Sequence, residues 1–197
     1  MSSRPQPADD VPKDIQPILA MATASMGFAP NSLKTMARRP GLLKGLAGLM
    51  GYMFGPELSI DAGLRQMIGY MASYGAGCRY CQAHTSHGAE KFGVSADKIA
   101  DLWRFEDSDL FEPDEKTALA FALTAGQVPN GVTDSHYDAL AEHYSAEQII
   151  DITAIVAMFG FLNRWNDTVG TQLEDAPAAF AASALEGSGW EIGKHRA

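Results

Sequence analysis

Apolar residues recur along this chain at three- and four-residue steps. No segment alternates apolar and polar residues between hairpin turns in the two-residue rhythm of a half-buried strand. That regularity restricts the fold to packed helices. Ile60, Leu64, Met67, Ile68 and Met71 mark one amphipathic helix, with Ser59 expected to cap it and Gly75-Ala76-Gly77 to stop it. A second helix should begin with Cys78 and run to about Phe92, ended by Gly93. Similar punctuation predicts helices over 14–26, ended by Gly27, over 31–36 from Asn31, and onward from Pro40. Further helices are expected over 95–103, 113–125, 133–143 and 145–168, the last opened by a Ser145/Gln148 capping box, with one more in the alanine-rich tail from Asp175. The expected architecture is all-α: one domain over 14–197, preceded by a flexible arm over 1–13 that carries Pro5, Pro7, Pro12 and the pair Asp9–Asp10.

With 197 residues, 46% of them hydrophobic, the chain can build a core without disulfide or metal staples. Its 15 Lys plus Arg against 24 Asp plus Glu leave a formal charge of −9, which repels phosphate backbones and anionic lipid. Neither a nucleic-acid nor a membrane partner is expected. The N-terminus lacks the basic start and apolar run of a signal peptide, and the 45–55 apolar stretch falls short of the roughly 20 residues that span a bilayer. The expected location is the cytoplasm. Gly41, Gly45, Gly48, Gly51 and Gly55 fall at three- and four-residue steps, a ridge that admits another backbone, either within the chain or from a second subunit.

Both cysteines of the chain fall in one Cys-x-x-Cys, Cys78 to Cys81, directly after the glycine turn and at a helix start. Residues three apart in a helix have Cα atoms roughly 5 Å apart, inside the window for a disulfide. A thiolate at a helix N-terminus faces unpaired N–H groups and the positive end of the helix dipole, which lowers its pKa, and Arg79 adds to this. A pair of thiols so placed suits reversible two-electron redox chemistry. Two inert buried cysteines are one rival reading. A zinc site from Cys78, Cys81, His84 and His87 is another, but at about 100° per residue Cys78 and His87 lie on opposite faces, and one continuous helix cannot wrap the four around an ion.

Leu64-Arg65-Gln66, the Cys78-x-x-Cys81 pair with its glycine turn, Met36-Ala-Arg-Arg-Pro40 and Phe161-Leu-Asn163-Arg164 together resemble the carboxymuconolactone decarboxylase and AhpD-like alkylhydroperoxidase family, most closely its peroxidase-related branch. The resemblance implies an AhpD-like helical bundle and a thiol-dependent peroxidase. In that chemistry the second cysteine, Cys81, attacks a hydroperoxide, and the first, Cys78, closes the disulfide. It also implies an external dithiol reductant, such as a lipoyl-bearing carrier protein, and a homo-oligomer, trimer or hexamer. The chemistry requires neither metal nor flavin.

Two positions depart from the family pattern. The glutamate expected twelve residues before the first cysteine is Gln66, an amide that cannot take up a proton. The histidine expected four residues after the second cysteine is Thr85, and His84 stands one position earlier. His84, about 60° around the helix from Cys81, is taken as the base, while His87, about 120° away, has the weaker claim. Gln66, Tyr70 and Tyr74 recur at four-residue steps and would present polar tips to the thiols; simple packing of the rings is the rival reading. Asn163, with Arg164, Trp165 and Asn166, would line the same pocket, unless these residues are only the solvated polar end of their helix. His136, His143 and His195 receive no role. A lactone decarboxylase and a non-enzymatic redox sensor are the alternatives to a peroxidase. The cysteine pair counts against the first, and the second predicts no turnover.

Overall fold

The computed structural model describes residues 3–196; Met1 and Ser2 of the expected arm, and Ala197, lie outside the described residues. Among the described residues there are ten α-helices and no strand. They are α1 (Gln16–Met26), α2 (Asn31–Met36), α3 (Pro40–Met53), α4 (Ala62–Ala76), α5 (Arg79–Lys91), α6 (Ala96–Ala100), α7 (Pro113–Gly126), α8 (Asp134–Ala141), α9 (Ala146–Val169) and α10 (Asp175–Ala184). The all-α, single-domain reading therefore holds.

The core is organised around α4, which packs against α5, α7 and α9. Small residues let it sit there. A Cβ on Gly69 would run into the Phe159 ring of α9, one on Gly75 into the Leu123 carbonyl, and one on Gly126 into Ala72, so α4 and α7 meet backbone to backbone. The glycine ridge of α3 behaves differently. Around Gly41, Gly45, Gly48 and Gly51 a Cβ would meet nothing among the described residues, so no intrachain partner fills that ridge.

Local chemistry fixes the ends of α4. Asp61, rather than the expected Ser59, is the cap: its Oδ1 accepts from the amides of Gly63 and Leu64. Ser59 instead donates to Asp151 of α9, whose other oxygen accepts from the Tyr52 hydroxyl at 2.8 Å. Arg65 draws in the α3–α4 loop by donating to the carbonyls of Ile60, Leu58, Met53 and Gly55. At the other end Gly77 adopts φ +73°, the left-handed turn that lets α4 reverse into α5.

A smaller cluster of Ile15, Leu33, Met36, Leu43 and Leu46 joins α1, α2 and α3. The preceding arm lies along it: Ala8 donates to the Lys34 carbonyl, and the Arg38 guanidinium to the carbonyls of Gln6 and Pro7. By length and composition alone α9 could cross a bilayer, although here it packs against α4, α5 and α7. The C-terminal segment returns over α5, where α10 packs and the Trp190 indole N–H donates to the Arg79 carbonyl at 3.1 Å.

Candidate active site

The hairpin of α4 and α5 brings both cysteines to the start of α5. Cys78 is the residue that caps the helix and Cys81 lies one turn on; both are free, and they are 0% and 3% exposed. The two thiols lie within hydrogen-bond reach of one another. The Cys81 thiol draws Cys78 below its ordinary value, helped by the amides of Cys81 and Tyr80 and opposed by burial. Burial pushes the Cys81 thiol well up, with Cys78 adding to the rise, and only Asn166 pulls against them. Of the two thiols, Cys78 is the more readily ionised.

Asn166 reaches in from α9, its Nδ2 donating to Cys81 Sγ at 3.4 Å. The neighbouring candidate Asn163 does not reach a sulfur: it donates to the Ala72 carbonyl and ties α9 to α4. The sequence placed both asparagines near the pocket, but only the helical phase of α9 in the fold distinguishes them.

His84 is held by the C-terminal segment. Its Nε2 meets Glu174 Oε2 at 2.6 Å, with both side chains about nine-tenths buried (11% and 12% exposed). The second oxygen of Glu174 accepts from the Tyr80 hydroxyl at 3.0 Å and from the Asn31 amide. Burial alone would raise the Glu174 carboxyl, but the His84 hydrogen bond and charge, with the Asn31 amide, hold it below its ordinary value. The His84 ring stacks on Tyr80, centroids 4.2 Å apart, and meets the edge of Phe28. Sequence reasoning missed Glu174, since nothing local links positions 84 and 174.

The remaining candidates take other positions. Gln66 is buried against Gly88, where a Cβ would lie 2.6 Å from its Oε1. Gly88 is seven residues, or about 10 Å along the helix, beyond Cys81. The Thr85 hydroxyl bonds back to the Cys81 carbonyl at 2.7 Å and is spent within its own helix. Tyr70 is fully buried and its ring lies 6.2 Å from that of Tyr74; burial raises its phenol far above the ordinary value. His87 packs between Phe28 and Phe180. His195, given no role from sequence, is buried beside Tyr80, with Nδ1 on the Thr171 carbonyl at 2.8 Å. Two surface grooves, one between α7 and α8 and one at Arg38–Leu42, do not border the cysteines.

A helical bundle with a Cys-x-x-Cys pair at the head of its second core helix defines an AhpD-like protein. The chain belongs to the carboxymuconolactone decarboxylase family, whose profile matches residues 40–124. It is 33% identical over 112 residues to the uncharacterised protein YdfG of Bacillus subtilis strain 168, covering 56% of this chain and 74% of that one. Among solved structures it resembles the apo debrominase Bmp8 at 34% identity, with a TM-score of 0.85 and coverage of 93% of this chain and 99% of Bmp8. A peroxidase-related protein with an AhpD core from Ralstonia eutropha JMP134 shares the fold at 24% identity and a TM-score of 0.80, covering 92% and 96% of the two chains.

Proposed function

We propose that this protein is a thiol-dependent reductase that passes two electrons from Cys78 and Cys81 to a hydroperoxide. The observation that carries the reading is the pair itself, two free cysteines one helical turn apart at the start of α5, with the Asn166 amide aimed at Cys81. Once ionised, Cys78 takes the proton of Cys81 as the Cys81 sulfur attacks the peroxide. An S–O bond forms, the O–O bond breaks, and the departing alkoxide takes a proton to become the alcohol. Cys78 then attacks the Cys81 sulfenic acid, releasing water and closing the disulfide. An external dithiol, such as a lipoyl-bearing carrier, resets it. Both sulfurs are covered, so peroxide reaches Cys81 only when its surroundings open.

A second reading, reductive dehalogenation, is supported by the likeness to Bmp8, of which a cysteine-to-alanine variant, 32% identical to this chain, was solved in complex with 2,3,4-tribromopyrrole. The same electron count applies: two thiols become a disulfide, carbon–bromine becomes carbon–hydrogen, and bromide leaves with the second proton. Peroxide consumption with dithiothreitol present tests the first reading. Wild type should turn over, the Cys81→Ser variant should be inactive, and the Cys78→Ser variant given peroxide without dithiol should stop after one equivalent with sulfenic acid on Cys81. Equal rates in wild type and Cys81→Ser overturn it. Bromide release from a polybrominated pyrrole with no peroxide consumption selects the second.

The protein is further proposed to self-associate through the outer faces of α3 and α9. The open glycine ridge and the exposed Leu42, Leu49 and Tyr52 lie on α3, and Ile150 and Phe161 on α9. A second copy is the occupant that suits a face so apolar. Sedimentation of wild type against Gly45→Glu tests it, and a monomeric wild type overturns it.

A further inference from the structure

We infer that Glu174 is the positioning residue for His84, supplying from the start of α10 the carboxylate that the family pattern would place at position 66. The inference rests on the proposed reductase reading and adds to it a proton donor and the group that holds it. Gln66 cannot serve: it carries no titratable proton, and it lies against Gly88, away from the thiols.

Glu174 stands where a carboxylate commonly turns back to cap its own helix, but it makes no such bond. Its two oxygens are given instead to His84 Nε2, the Tyr80 hydroxyl and the Asn31 amide, which come from α5 and α2. Every one of these partners favours an ionised carboxylate. The imidazole is fixed on three sides: by Glu174 at Nε2, by the Tyr80 face and by the Phe28 edge. With the Nε2 proton committed to Glu174, Nδ1 is the ring atom left to give a proton away. His84 follows Cys81 by three residues on one helix, which puts their Cβ atoms about 5–6 Å apart. As the O–O bond breaks, the alkoxide takes the Nδ1 proton and His84 becomes neutral, its Nε2–H still on Glu174. Solvent returns the proton between turnovers.

Two oxidising or alkylating reagents separate this role from a structural one. Reduction of tert-butyl hydroperoxide produces an alkoxide that needs a proton; alkylation by iodoacetamide expels iodide, which does not. In single-turnover measurements on the full chain, Glu174→Gln should slow the peroxide step about 10–100-fold, a share of the ~10²–10⁴ that a general acid contributes. Its iodoacetamide rate should stay within about threefold of wild type. His84→Gln, which leaves Glu174 its bonds to Tyr80 and Asn31, should give the same split, and adding Glu174→Gln to it should cost nothing further. Equal slowing of both reagents by Glu174→Gln and by His84→Gln makes the pair structural and overturns the inference. So does a Glu174→Gln protein as fast as wild type on peroxide. If wild type is inert to hydroperoxide but debrominates a polybrominated pyrrole, the same comparison is run on that substrate, whose carbon also needs a proton, and the same outcomes decide. A wild type inert to both overturns the reductase reading and this inference with it.

Discussion

The Asn166 amide is the one side chain outside the pair that favours the Cys81 thiolate, so its removal has a calculable effect. A hydrogen bond to a charged group contributes about 1.5–3 kcal/mol. Since ~1.4 kcal/mol is a factor of ten, Asn166→Ala should reduce the fraction of ionised Cys81 at a given pH by roughly 10–150-fold. Asn166→Asp should reduce it further by placing a like charge at the sulfur. The measurement is the rate of iodoacetamide alkylation followed across the alkaline range, in a Cys78→Ser background so that a single thiol reports. A change in access scales the whole curve, whereas a change in ionisation slides it along the pH axis, so the two are separable. The expected result is a slide to higher pH for Asn166→Ala and a larger one for Asn166→Asp. Curves for Asn166→Ala and its parent that superimpose in pH, in proteins of equal melting temperature, would refute the reasoning.

Other consequences are open to direct measurement. Arg65→Met leaves four backbone carbonyls without their donor and should cost about 3–5 kcal/mol, or roughly 6–20 °C in melting temperature, by calorimetry. Gly126→Ala, blocked by the Ala72 backbone, should destabilise by about 1–3 kcal/mol in denaturant unfolding. Burial holds His195 below its ordinary 6.5, so the unfolded chain binds the extra proton first. Its contribution is complete above that value and is lost as pH falls through the folded one, and His195→Gln should flatten this acid limb of melting temperature against pH. Glu174 is also depressed, from 4.5, so its contribution persists above that value and fades at lower pH; a wild type whose stability does not change below it would contradict the assignment.

The helices were legible because their signals are local. Ser145 with Gln148, Pro113 and the Gly77 turn each act within a few residues of the helix end they define. The cysteine pair was legible for the same reason, since its spacing and its place at a helix start lie within one turn. Ser59 misled because Asp61, two residues on, is the better-placed acceptor, and the serine finds a use on α9 instead. Glycine spacing on α3 suggested a tight crossing, but the tight crossings are at Gly69, Gly75 and Gly126, whose partners lie on α7, α9 or α4, far off in sequence. Glu174 and His195 share that difficulty, as does the choice of Asn166 over Asn163 as the residue that meets Cys81. Each belongs to the site only because α9 and the tail fold back over α5, and no periodicity in a single strip of sequence encodes that return.

The indole of Trp190 hangs from the carbonyl of Arg79, between the two cysteines in sequence. Closure of the proposed bridge between the sulfurs would act on the turn that carries this carbonyl, and through it on a natural chromophore. Oxidation and reduction should therefore be visible as a change in tryptophan emission, in real time and without any dye, and a Trp190→Phe protein should go dark to the same cycle.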